Sequence, residues 1–163
     1  MGVLEFLEQT GLATFIRESS SLLAFPAFLC AHTLGLSIVV GANTLVAIRV
    51  LGVASSIPLQ PLQRLFPFMW AGFLLTVISG AGLAIAKATT LMVNPILLVK
   101  LVLIVFAAII MWLLDKKVFR SPSGLRKAEP GDGRMMAAAL LVLWTLVMIA
   151  GRLIAYSSTI FGT

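Results

Sequence analysis

The chain has 163 residues, 60% hydrophobic and 11% charged, with a mean hydropathy of +1.09 and a net charge of +6. A soluble domain is typically about 25% charged, so this one cannot clothe a water-facing surface, and its outside must meet lipid. The positive balance does not point to nucleic acid: Lys116, Lys117, Arg120, Arg126, Lys127 and Arg134 crowd into one connection, the pattern of a membrane topology signal and a contact for anionic headgroups.

Residues 1–18 carry Glu5 and Glu8 early and lack the basic start and long apolar core of a secretory leader. Val3, Leu4, Leu7, Leu12, Phe15 and Ile16 can share one helical side, with Glu5, Glu8, Gln9 and Arg17 opposite. This predicts a short amphipathic helix lying in the interface, with a break at Gly11. Ser19, Ser20 and Ser21 then offer N-cap oxygens to the next helix.

From Ser19 to Ile48 there is no Asp, Glu, Lys or Arg, and the chain's one histidine, His32, sits at the centre of that run. Four segments reach the roughly 20 apolar residues that a membrane-crossing helix needs: 22–48, 65–86, 95–114 and 135–156. They are twice the length of a barrel strand and do not alternate apolar with polar, so they are read as helices. The expected fold is all-α and polytopic: an interfacial helix over 1–18, then a four-helix transmembrane domain over 19–163.

The connections carry turn chemistry. Pro58 and Pro61 separate the first two helices, and Asn94-Pro95 opens the third. Ser121-Pro122-Ser123-Gly124 and Glu129-Pro130-Gly131-Asp132-Gly133 make 115–134 a solvated loop. By the excess of Lys and Arg, that loop is expected in the cytoplasm, with both termini outside. Trp70, Trp112 and Tyr156 fall near helix ends, as interfacial belts prefer.

Small residues recur every four positions, as Ala27, Ala31 and Gly35 in the first helix and Gly72, Thr76 and Gly80 in the second. Such rows let membrane helices approach closely. The lone Cys30 reads as a small buried apolar residue and leaves no internal disulfide or cysteine-based metal motif.

A rise of about 1.5 Å per residue places His32 roughly 15 Å from the outer edge of its helix, near mid-bilayer. Met148, Arg152 and Lys100 fall in the same outer half. An imidazole, a thioether and two cations suit a flat apolar cofactor with an anionic edge. In a haem b site His32 and Met148 are the candidate axial ligands of the iron, and Arg152 and Lys100 the candidate propionate partners. Other uses of the same groups are structural. The cations can snorkel to headgroups or pair with Glu18, and His32 can hydrogen-bond across helices to Thr76 or Ser79. A further use is an anionic or quinone-like ligand, with His32 relaying protons. No phosphate-binding loop, nucleophile elbow or zinc-protease motif is present, and the sole histidine is too deep for a serine-protease-like triad.

Phe25-Pro26, His32, Leu34-Gly35-Leu36, Gly41 and Arg49-Val50-Leu51-Gly52 resemble the first helix of an uncharacterised family of small bacterial inner-membrane proteins, known only as a domain of unknown function. Pro67, Trp70-Ala71-Gly72-Phe73, Gly80, Asn94-Pro95, Lys100 and Gly151-Arg152-Leu153-Ile154-Ala155-Tyr156 extend the resemblance over nearly the whole chain. It implies a four-helix inner-membrane protein and no particular activity. Members often carry acidic residues where this chain has Leu29 and Ala47, which weakens an ion- or proton-coupled role. The expected function is a non-enzymatic integral membrane subunit or scaffold of a periplasm-facing complex, respiratory or electron-transferring, with haem b as candidate cofactor. Its expected partners are the lipid bilayer and other membrane or periplasmic subunits, or a second copy of itself. The alternative is a homo-oligomeric small-solute transporter or channel, and a membrane enzyme ranks third because no second acid or base accompanies His32.

Overall fold

A computed structural model describes residues 2–18, 24–92, 94–120 and 133–161. The N-cap role of Ser19, Ser20 and Ser21 and the turn residues between 121 and 132 lie outside these. The described residues hold no strand. Two short helices, α1 (Val3–Glu8) and α2 (Gly11–Glu18), precede α3 (Ala24–Val50). A turn of helix, α4 (Leu59–Leu62), leads into α5 (Leu65–Ala86), and another, α6 (Ala88–Leu91), precedes α7 (Pro95–Leu114). A π-helical turn, Asp115–Phe119, extends α7, and α8 (Arg134–Phe161) closes the chain. Four helices are long and apolar enough to cross a membrane, over Phe25–Val50, Leu59–Ala86, Pro95–Phe119 and Arg134–Ile154, and they fit a multi-pass membrane protein. Leu98, Val102, Val105, Phe106 and Ile109 on α7 are each about half exposed, as a lipid-facing surface requires.

The helix ends follow from local chemistry. α3 stops at Gly52, whose φ of 89° is the left-handed conformation that glycine adopts without strain. Val53 N–H donates to Ile48 O at 3.1 Å and Gly52 N–H to Arg49 O at 3.1 Å, the paired bonds of a Schellman motif. At the start of α7, Asn94 Oδ1 accepts from Ile96 N–H at 2.9 Å, and Pro95 occupies the first turn, where its missing donor costs nothing. Phe66 at the start of α5 and Phe119 in the π turn stack with centroids 5.1 Å apart. The π turn is closed by Arg120 N–H to Asp115 O at 2.9 Å. It brings the Arg120 side chain back onto Asp115, with Nε 2.7 Å from Oδ2. Asp115 is 3% exposed, a buried carboxylate that its place beside a basic loop did not predict.

α3 pairs with α5, α7 with α8, and the two pairs join through α3 and α8. The α3–α5 contact is made by missing side chains. A Cβ on Gly35 would lie 2.6 Å from Thr76 Oγ1 and 2.8 Å from Gly72 O, and one on Gly72 would lie 2.9 Å from Ile38 Cγ2. The bundle is tight at the basic end, where α3 and α7 finish. There Val46, Phe66, Met111, Leu114, Phe119 and Leu140 are buried. It loosens toward the other end: on α3 no residue from Phe25 to Leu34 is buried, and on α7 none before Ala107. Cys30 is exposed rather than buried, because it lies in this loose stretch and faces away from α5.

At the loose end α2 packs on α5 and α3, and α1 on α6 and α5. Ala13 and Ile16 are buried there, and Thr89 N–H donates to Glu8 Oε2 at 3.3 Å. The segment is not one helix with one apolar side: Val3 and Phe15 are 77% and 58% exposed while Ile16 is buried. The break at Gln9 and Thr10 resets the helical phase, so the two halves turn different faces to the bundle.

Gly35→Ala is expected to lower thermal stability in detergent by about 1–3 kcal/mol through overpacking. Gly41→Ala, where an added Cβ meets nothing within 4 Å, is expected to stay within about 0.5 kcal/mol. Arg120→Ala strips the buried Asp115 of its ionic partner among the described residues and is expected to cost about 1–3 kcal/mol, read in the same unfolding experiment.

Candidate functional site

His32 lies on the side of α3 that faces α5. Its Nδ1 is 3.0 Å from Thr76 O and 3.3 Å from Ser79 Oγ. A peptide oxygen only accepts, and the Ser79 hydroxyl already donates to Leu75 O at 2.6 Å, so Nδ1 carries the proton. The hydrogen-bond network thus assigns the tautomer and leaves Nε2 as a lone pair. Among the described residues Nε2 has no partner. The ring reaches the Thr76 carbonyl because position 80 has no side chain: a Cβ there would sit 2.9 Å from His32 Cε1.

Lys100 lies five residues into α7, about 8 Å along its axis, and is partly buried. Its Nζ would lie 3.2 Å from a Cβ at Gly151 on α8, so a second glycine makes room for the second ionisable group. Lys100 has no ion pair or hydrogen-bond partner among the described residues. Two ionisable groups are thus lodged against glycines of neighbouring helices, His32 of α3 against Gly80 of α5 and Lys100 of α7 against Gly151 of α8. All lie in the loose half of the bundle.

The other two residues singled out in the sequence are placed elsewhere. Met148 stands on the outer surface of α8, 49% exposed, away from the buried side held by Val147 and Ala150. Arg152 is exposed and rests over the Tyr156 ring, 5.6 Å from its centroid. The structure thus sets His32 and Lys100 partly buried and leaves Met148 and Arg152 on the surface, as a residue's place around a helix decides more than its depth. Ser79, named beforehand as a partner for His32, lies at 3.3 Å, but the shorter bond goes to the main chain at Thr76. Gly80 and Gly151 were legible as small residues but not as walls of a site.

A second polar place lies deeper in the core. Asn43 Nδ2 donates to Val39 O at 2.9 Å and approaches Met111 Sδ at 3.5 Å. Its Oδ1 and the Trp144 Nε1 are buried without a hydrogen-bond partner among the described residues. No group of three or more His, Cys, Asp or Glu side chains is placed to hold a metal ion among the described residues.

Gly80→Ala is expected to push the imidazole off the Thr76 carbonyl, seen as a change in the Nδ1–H resonance of the single histidine. Ser79→Ala is expected to leave that resonance nearly in place, since the closer acceptor is a peptide oxygen. No protein-family model, curated protein or solved structure matches this chain.

Proposed function

We propose that the protein is a non-enzymatic, multi-pass subunit of a bacterial inner-membrane complex, facing the periplasm and holding one ligand at His32 and Lys100. The observation that carries this reading is two ionisable groups set in apolar helices, each lodged against a glycine of a neighbouring helix. An ionisable residue at such a depth is costly and points to use. The reading is of holding a ligand within an assembly of respiratory or electron-transfer kind, since turnover at an imidazole calls for a second acid or base beside it. Haem b ligated through Nε2 is one such ligand. A metal-binding histidine commonly donates its other ring N–H to a backbone carbonyl, the role Thr76 O fills here. Met148, on the outer surface of α8, would take no part in holding it.

The orientation rests on charge. Arg49, Arg64, Lys116, Lys117, Arg120 and Arg134 lie at the end of the bundle where α3 and α7 finish, while Lys87 stands alone in the connection at the other. The positive-inside rule puts the former in the cytoplasm and both termini outside. Protease added to intact spheroplasts is expected to spare 116–134 and to cut it in inverted vesicles.

A homo-oligomeric transporter or channel is the second reading, and one observation favours it. The exposed surface of α3 sets Cys30, Thr33, Ser37, Gly41 and Thr44 among Leu29, Leu34 and Ile38, a more polar mixture than the Leu, Val and Phe that α7 shows to lipid. Mild-detergent purification is expected to yield a stoichiometric second protein, which the subunit reading requires. Liposome flux abolished in both His32→Ala and Lys100→Met would replace that reading with the second. A Soret band lost in His32→Ala would identify haem as the ligand.

A further inference from the structure

We propose that a groove between α7 and α8 holds one acyl chain of a phospholipid whose phosphate is bound by Arg152. The proposal goes beyond the reading of His32 and Lys100 as ligand-holding groups and does not depend on it. The groove has a volume of about 330 Å³ and is lined by apolar side chains alone. On α7 it runs from Pro95 to Leu103 and on α8 from Leu146 to Leu153, about 12 Å and 10 Å along the two axes. It therefore lies along the helices rather than across them, the direction in which acyl chains extend in a bilayer. Ala150 is nearly buried and forms its floor, while Val99, Ile149 and Leu153 stand beside it about half exposed.

Three observations choose the occupant. The groove lies on helices that cross a membrane by length and composition, and a groove left empty there forfeits the dispersion contacts of its lining. Its volume suits one narrow chain: a helix with its side chains is about 10–12 Å across and would ride over the groove. The third is charge. Arg152 follows Ile149 by three residues and directly precedes Leu153, two residues of the groove, so it stands on the same turn at the groove's end. It is exposed, rests over the Tyr156 ring and has no acid partner among the described residues. It lies about 27 Å along α8 from Arg134, close to the roughly 30 Å thickness of bilayer hydrocarbon. Its guanidinium thus reaches the phosphates of the leaflet remote from the basic connection, where it can form paired bonds to phosphate oxygens. From that point the groove descends into the chains of the same leaflet.

The test uses the full chain in mild detergent, titrated with phosphatidylglycerol and followed by native mass spectrometry. The wild type is expected to retain one phospholipid under detergent washing that strips the rest. Ala150→Phe, which fills the floor of the groove, is expected to lose it. Val99→Phe fills the groove from an exposed wall, spares the buried packing and is expected to lose it too. Arg152→Gln is expected to weaken phosphatidylglycerol about fivefold and to leave diacylglycerol, which has no phosphate, bound as before. Undiminished retention in Val99→Phe overturns the proposal, as does an Arg152→Gln effect equal for the two lipids. If Val99→Phe keeps the lipid but loses a co-purifying protein or a second copy of the chain, the groove belongs to a partner helix and the proposal falls. His32→Ala is expected to retain the phospholipid, whatever becomes of a ligand at His32. Loss of the phospholipid in that variant would place it elsewhere and overturn the proposal.

Discussion

The close approach of α3 to α5 is the constraint on which the rest of the molecule depends. In lipid, apolar side chains gain little by turning inward, so helices associate through backbone proximity and the dispersion contacts it allows. Gly35 and Gly72 remove the atoms that would hold the two axes apart. Once that distance is set, the His32 ring lies within hydrogen-bonding range of a carbonyl on the neighbouring helix, and the space opened by Gly80 admits it. The geometry of the site is thus a by-product of how the bundle is zipped.

That dependence separates the two halves of the molecule. At the basic end large side chains interlock, Phe66 on Phe119 and Met111 among them, and a carboxylate is sealed in with its arginine. At the other end contacts are sparse along α3 and α7, and the N-terminal helices lie against α5 and α6. One half supplies stability. The other leaves more of α3 and α7 exposed.

The four long helices were legible because a run of about 20 apolar residues has few other uses, and the segments 65–86 and 95–114 coincide with α5 and α7. The row Gly72–Thr76–Gly80 announced a close helix contact, and a cross-helix hydrogen bond to Thr76 or Ser79 was one of the uses open to His32. What depth cannot fix is the direction in which a side chain leaves its helix. Met148 and Arg152 share a level with Lys100 yet point elsewhere, and Cys30 shares a helix with buried residues yet faces out. Such facts depend on which helices are neighbours, and composition says little about that in a chain whose long segments are apolar nearly all round. Asp115 escaped notice for a related reason. A π turn widens the helix by one residue, and nothing in Asp115-Lys116-Lys117-Val118-Phe119 signals the change of pitch that carries Arg120 back to the carboxylate.

The acceptor that holds the chain's one imidazole is a peptide oxygen, and no codon specifies it. For this bond, variation at position 76 is silent, while position 80 tolerates almost nothing. Relatives of this protein compared side by side would then show the histidine covarying with a residue that has no side chain to offer, and a survey of partners by truncating side chains one at a time would pass over the partner altogether.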